Sequence, residues 1–423
     1  MQLIRDAEIE DLIRDWCEPI FLAAGLEPGN IDIYLVKDKT INAFVAGGQK
    51  LFIHTGLLTA TDNPNQLKGV IAHEMGHVAG GHLSRVRGAM AKSQKPAVLG
   101  TILGVGAAIG GRADVAAAVI AGGMGMGRRN FLAYSRTLEG SADQAAVRFL
   151  TATKQSAMGL VEFLRVIEDR ERLAFSQSPY ARTHPVTADR IDNLLDLAKA
   201  SPYAASSPTP EDVIRHRRMV AKLNAFIDPI DRTIRTHKDD PNSLEARYAL
   251  AIAHYRRPDL EKALKLIDGL IGDYPNDPYF RELKGQMLRE NGRVVEALEP
   301  YRMSVQLDPS SALLRGAYAQ TQLNTGDPAL LDGAIENLDF AATREPRVSF
   351  YWRQLAIAWG RKGNRGMNSL ALAEEAILKR KFKEAAFYAN RAAGLLPKGG
   401  PKHLQAQDIL GQAQRHADDG RRK

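Results

Sequence analysis

His73-Glu74-Met75-Gly76-His77 places two histidines four residues apart, with a glutamate beside the first. On a helix of ~3.6 residues per turn, that spacing sets both imidazoles on one face. Two such rings can hold one Zn²⁺, and Glu74 is then placed to take a proton from water at the metal. The chemistry implied is metal-assisted hydrolysis of a peptide bond. A catalytic zinc takes three protein ligands and keeps a further position open, so a third ligand must come from elsewhere.

One candidate follows closely, in His77-Val78-Ala79-Gly80-Gly81-His82. The metzincin pattern needs Gly three and His six residues after the second histidine. Gly80 fits, but the sixth residue is Leu83. On a continued helix, His82 would lie about 140° around from His77. It reads as a histidine at the surface, or one that touches a ligand from outside. The other candidate is a pair, Glu139 and Asp143, four apart and so on one face of a helix expected over 131–151. A carboxylate from that helix would complete a His–His–Glu set. An acid one turn on could accept the free N–H of a ligating imidazole, which fixes the ring and raises its basicity. Taken alone, such a pair is a solvated helix face.

Several elements must position these side chains. Asn63-Pro64-Asn65 reads as a helix start, with Asn as the cap and Pro in the first turn. Leu67, Val70, Ile71, Met75 and Val78 then recur near helical spacing, and the helix fades near Gly88. Upstream, a helix is expected from Ala7 to Ala24, with Ile9, Leu12, Ile13, Trp16, Ile20 and Leu22 as its apolar stripe. Strands are expected over 31–36, 42–48 and 50–55, the last two paired around Gly47-Gly48. An exposed strand beside a zinc helix could hold an extended substrate by backbone hydrogen bonds, or could only support the helix. Downstream, 96–111 is almost wholly apolar and 115–127 is similar and Gly-rich. Neither reaches the ~20 apolar residues that span a bilayer. Residues 96–127 read first as a lid or buried hairpin over the cleft, and second as a hairpin in peripheral contact with a membrane.

The chain has 423 residues, enough for two or three domains. Its 44% hydrophobic and 25% charged content is that of ordinary globular protein. The net charge of +8 reads as scattered surface Lys and Arg. No zinc-finger Cys pattern or aromatic RNP-like motif points to nucleic acid. Cys17 stands alone, which excludes an intramolecular disulfide without choosing a compartment. The first residues carry no apolar core of a signal peptide, so the expectation is either a cytoplasmic protein or a chain from which a signal was removed.

The second half repeats. Ala251, Gly285 and Ala319 recur every 34 residues, as do Ala263 and Ala297, and Pro275 and Pro309. Small residues at that period let paired helices approach, and Pro punctuates each repeat. This is the tetratricopeptide pattern, whose stack offers a concave surface to a protein partner. The third repeat is longer by three residues, giving Ala334 and Pro346. Ala356 opens a fourth that loses its second helix, and Ala373, Ala385 and Pro397 mark a last one. The expected layout is a peptidase domain over 1–200, a linker and connecting helix over 201–240, repeats over 241–397, and a C-terminal helix or frayed tail over 398–423. The fold class is mostly α, an α+β zincin-like domain with a small sheet followed by an all-α solenoid.

At His73–His77 and Glu139-Gly140-Ser141-Ala142-Asp143 the chain resembles metallopeptidase family forty-eight, the gluzincins that include the CAAX prenyl proteases. Asn42-Ala43-Phe44 with Gly47-Gly48, and Thr183-His184-Pro185 with Arg190, resemble further family segments. The resemblance implies His73, His77 and Glu139 as zinc ligands, Glu74 as general base and Asp143 as the acid behind a ligand. It makes His184 a gating ligand or an oxyanion donor. Read without it, His184 is a capping histidine in a turn. Gln66 and Gly140-Ser141 depart from the family pattern but touch no expected ligand. A peptidase followed by tetratricopeptide repeats resembles a branch that works in the periplasm on outer-membrane β-barrel assembly, with protease and chaperone-like roles. The expectation is a zinc endopeptidase of envelope-protein quality control whose repeats dock substrate or a partner. Its rival is a chaperone or scaffold with a latent, gated zinc site.

Overall fold

The computed structural model describes residues 2–47, 49–82, 136–174 and 179–419. The 96–127 tract lies outside them, while the helix of the two histidines, expected to fade near Gly88, already ends at Ala79 because Gly81 takes a left-handed φ. The chain divides into two compact units, Met1–Ile227 and Asp228–Lys423.

The first unit opens with strand β1 (Leu3–Ile4) and helix α1 (Ala7–Ala23). Asp6 caps α1 by accepting the Ile9 N–H at 3.0 Å. Ile9, Leu12, Ile13, Trp16 and Ile20 are buried as their spacing predicts. Leu22 is instead exposed, and Cys17 and Phe21 take its place in the core. Leu22 follows Ile20 by two residues, some 200° around the helix, which carries it off the buried face.

Strands β2 (Asp32–Val36), β3 (Ala43–Ala46) and β4 (Lys50–His54) join β1 in a sheet of order β1-β2-β4-β3. β2 and β4 run parallel, while β1 on β2 and β3 on β4 are antiparallel. Alternation sends Leu35, Ala43, Leu51 and Ile53 into the core. Tyr34, Phe52 and Phe44 stack in turn at 5.0 Å between ring centres.

A short helix α2 (Thr55–Leu58) leads to α3 (Pro64–Ala79), the helix of the two histidines. Asn63 caps it, accepting the Gln66 N–H at 3.2 Å, with Pro64 in the first turn. Helix α4 covers 136–152. It can lie tight on α3 because Gly76 has no side chain: a Cβ there would stand 2.7 Å from the Ala142 carbonyl oxygen. Helices α5 (Met158–Ala174), α6 (Pro179–Thr183), α7 (Ala188–Lys199) and α8 (Pro210–Ile227) complete the unit. The sequence places α8 in a connecting segment, yet it lies within the first unit. Asp212 accepts from Trp16 Nε1 and Lys68 Nζ, each at 2.7 Å. Lys222 Nζ reaches Asp6 at 2.7 Å and Glu8 at 3.1 Å, and Arg218 reaches Glu8 at 2.7 Å. Charges this buried persist only when paired.

The second unit is all helix: α9 (Ile230–Thr236), then α10 (Leu244–Arg256), α11 (Leu260–Asp273), α12 (Pro278–Glu290), α13 (Val294–Leu307), α14 (Ala312–Thr325), α15 (Leu331–Arg344), α16 (Ser349–Arg361), α17 (Arg365–Leu378), α18 (Phe382–Leu395) and α19 (Pro401–Asp419). Ala251, Ala263, Ala297, Ala319, Ala334 and Ala356 are all buried between helices. α17 packs directly on α16, so no helix is missing after Ala356. Ala373 falls 17 residues on rather than 12, and a change of spacing mimics a lost helix. Helix α19 runs through most of the expected tail and buries Ala406, Ile409 and Ala413. Among the described residues, no helix is long and apolar enough to cross a membrane.

Candidate metal centre

Helix α3 presents His73 and His77 one turn apart, and α4 presents Glu139 to them across the close contact at Gly76. His184 follows α6, its N–H donating to the Tyr180 carbonyl at 2.7 Å and its ring stacked on Tyr180 at 4.8 Å between centres. One donor atom from each of His73, His77, Glu139 and His184 lies within 4.8 Å of the others. His73 Nε2 is 3.0 Å from His77 Nε2, 3.3 Å from Glu139 Oε2 and 3.3 Å from His184 Nδ1. His77 Nε2 is 3.3 Å from Glu139 Oε1, and His184 Nδ1 is 3.3 Å from both Glu139 oxygens. Zinc–nitrogen bonds of about 2.0–2.1 Å in a tetrahedron imply ligand-to-ligand edges of about 3.3–3.4 Å. These separations lie at or just below that size, and three imidazoles with one carboxylate suit a borderline-soft divalent ion.

The atoms behind the cluster are equally ordered. Asp143 Oδ1 stands 2.8 Å from His73 Nδ1. Arg190 grips Asp143 with two hydrogen bonds, Nε to Oδ2 at 2.7 Å and Nη2 to Oδ1 at 2.9 Å. Its Nη1 also meets Glu139 Oε2 at 2.9 Å and donates to the Pro185 carbonyl at 3.1 Å. Thr187 starts α7 by accepting the Arg190 N–H at 3.3 Å, which fixes where the guanidinium begins. Arg190 is part of a sequence motif but carries no expected role there. Only the fold shows that it ties both carboxylates to the turn bearing His184. His82 is buried beside His77, so it belongs to the site and not to the surface.

Charge follows geometry. Glu74, Glu139 and Asp143 face one guanidinium, so when ionised they leave two negative charges, those a divalent cation would offset. Burial would raise the Glu139 carboxyl, but His184, His73 and His77 outweigh it and hold it well below the usual range. Burial likewise opposes ionisation of Asp143, yet His73 and Arg190 bring it down to about 2. Burial lowers His77 to about 3, so its imidazole is neutral and its lone pair free for a metal. Burial also pulls His73 down, but Asp143 and Glu139 overcome it and raise it to about 9. The carboxylates that favour a proton on His73 favour a metal cation at the same place. Glu74 is fully buried, and burial raises its carboxyl. Neither of its oxygens has a hydrogen-bond partner among the described residues, and His184 Nε2 is 3.4 Å away.

A buried HExxH helix crossed by a second helix that bears Glu and Asp defines a metallopeptidase centre, here followed by a helical repeat array. Residues 4–198 match Peptidase family M48, and 230–278 and 248–312 match Tetratricopeptide repeat. The chain therefore carries an M48 peptidase domain followed by tetratricopeptide repeats. It is 23% identical over 367 residues to the Beta-barrel assembly-enhancing protease of Yersinia pestis, covering 83% of this chain and 72% of that one. It is 21% identical to the protein of that name from Escherichia coli K12, covering 69% of this chain and 62% of that one. It is also 28% identical to the Escherichia coli Metalloprotease LoiP, over 41% of this chain and 64% of that one.

Proposed function

We propose that the chain is a zinc-dependent endopeptidase in which His73, His77 and Glu139 hold the metal and Glu74 is the general base. The observation that carries this reading is the close cluster of donor atoms from His73, His77, Glu139 and His184, with the buried Glu74 carboxylate beside it. Zinc, when bound, supplies a Lewis acid that polarises a scissile carbonyl and acidifies water. Glu74 takes the proton of the attacking water and passes it to the leaving amine. Asp143, held by Arg190, keeps His73 in one tautomer and orientation. Among the described residues β3 pairs with a strand on one side only, which leaves an edge along which an extended substrate could pair. Glu74→Gln should retain zinc and lose cleavage of an unfolded protein, while His73→Ala loses both. A Glu74→Gln chain that still cuts would sink the assignment.

His184 supports a second level of the same reading. Its Nδ1 stands where a fourth ligand would, so it can close the site until the turn bearing it moves, then donate to the oxyanion. His184→Ala with raised proteolysis supports closure, and lost proteolysis supports the donor role. If His184 stays in place, the chain acts as a chaperone or scaffold through its repeats. Those repeats hold a groove of about 620 Å³ with Lys265, Arg281, Lys284 and Arg293 set against Glu296 and Glu299, suited to a mixed-charge peptide. Relatives named Beta-barrel assembly-enhancing protease support a role in β-barrel assembly; the setting proposed from that is periplasmic quality control at the outer membrane, with misfolded or stalled envelope proteins as substrates. Accumulation of unassembled β-barrel proteins in a strain lacking the chain tests it.

A further inference from the structure

The ring nitrogens turned away from the cluster do not have the same kind of neighbour. His73 Nδ1 faces Asp143 at 2.8 Å and His184 Nε2 faces Glu74 at 3.4 Å. His77 Nδ1 faces another imidazole, His82 Nδ1, at 2.9 Å. Two ring nitrogens at that distance share one proton, since two would repel and none would set lone pair against lone pair. If His77 gives its Nε2 lone pair to a metal, its proton sits on Nδ1. His82 must then be the acceptor, with its own proton on Nε2.

The chain is shaped to seat this ring. Helix α3 ends at Ala79, with Gly80 closing it. A Cβ on Gly80 would stand 2.2 Å from His82 Nε2 and 2.6 Å from its Cδ2, so no larger residue leaves the ring its place. Gly81 then takes φ +62°, a left-handed turn that brings His82 back towards the helix. The His82 ring ends 2% exposed and edge-on to His77, at 5.0 Å between centres and 81° between planes.

We propose that His82 is a positioning residue for the metal site: a neutral acceptor that fixes the tautomer and ring plane of His77, with Gly80-Gly81 as its seat. The proposal rests on the reading that His77 binds zinc through Nε2. The two histidines of the motif are thus oriented by different chemistry, His73 by a carboxylate and His77 by an uncharged ring.

The test uses the full chain, with zinc affinity read by competition with a chelator and geometry read from the visible spectrum of the Co²⁺-loaded protein. His82→Ala should weaken zinc binding about 10–100-fold and shift the Co²⁺ bands. His82→Gln, whose amide oxygen can accept, should recover most of the loss. Gly80→Ala should weaken binding clearly when His82 is present and much less in His82→Ala, where only the Gly76 carbonyl oxygen, 3.0 Å from that Cβ, stays close. Unchanged affinity and spectrum in His82→Ala, while His77→Ala loses zinc, overturns the proposal. So does an equal cost of Gly80→Ala in both backgrounds. Undiminished zinc affinity in His77→Ala overturns the zinc assignment itself, and the proposal with it.

Discussion

The metal centre and the repeat array are both built from closely packed helices, but they tolerate change differently. Around His73 the interior is ionic, with Asp143, Glu139 and Arg190 all buried and joined. Each group there is acceptable only because its partner is present. Between the helices of the second unit the interior is mostly alanine, glycine and apolar rings, repeated with small variations. Each repeat there answers mainly to its neighbours. Unpairing one member should therefore damage the first unit broadly and the second only locally.

The largest expected effect comes from Arg190→Ala, which leaves Asp143 and Glu139 without their guanidinium. It should destabilise the first unit by about 3–5 kcal/mol, seen in urea unfolding. The comparison breaks if the loss is below about 1 kcal/mol, the range of an exposed ion pair.

A smaller effect is expected at His216, buried with its Nε2 2.9 Å from Thr61 Oγ1. Burial, helped by Arg217 and opposed by Asp62, lowers it to about 4. The unfolded chain takes up this proton first, near the ordinary pKa of ~6.5. The contribution is therefore whole above pH ~6.5 and is lost as the pH falls towards 4, on the order of 2–3 kcal/mol. Unfolding of His216→Gln across that window should show a flatter pH dependence, and an unchanged slope would remove His216 as its source.

In the repeats, Gly285→Ala puts a Cβ 2.6 Å from the Tyr301 ring. About 1–3 kcal/mol is expected, with faster hydrogen exchange confined to α12, α13 and their neighbours. Faster exchange in the peptidase core would contradict the local picture. The smallest effect belongs to Arg302→Ala, which removes an exposed pair to Glu299. Thermal unfolding should report no shift beyond the scatter of repeated melts.

Much of the helix content and the repeat period can be read from residue spacing, because helical geometry relates residues three, four and seven apart without reference to the rest of the fold. Leu22 shows how narrow that rule is, since one residue off the stripe is enough for solvent exposure. His82 shows where it stops. Extrapolating the helix carries this ring away from His77, but the left-handed turn at Gly81 ends the helical relation and folds the ring back. The fourth repeat misleads for a similar reason: the offset of small residues changes while the helices continue.

His73, Glu74 and His77 needed only the sequence, because one helical turn already brings them together. Glu139 and Asp143 share a face by the same rule, but their meeting with His73 depends on Gly76 admitting α4 against α3. Arg190's hold on two carboxylates, the approach of His184 Nδ1 to His73 and Glu139, and that of His82 Nδ1 to His77 Nδ1 were decided by tertiary structure alone. They join atoms on separate elements, or across a break in helical φ, where packing and the need to pair every buried charge choose the neighbour and sequence spacing does not.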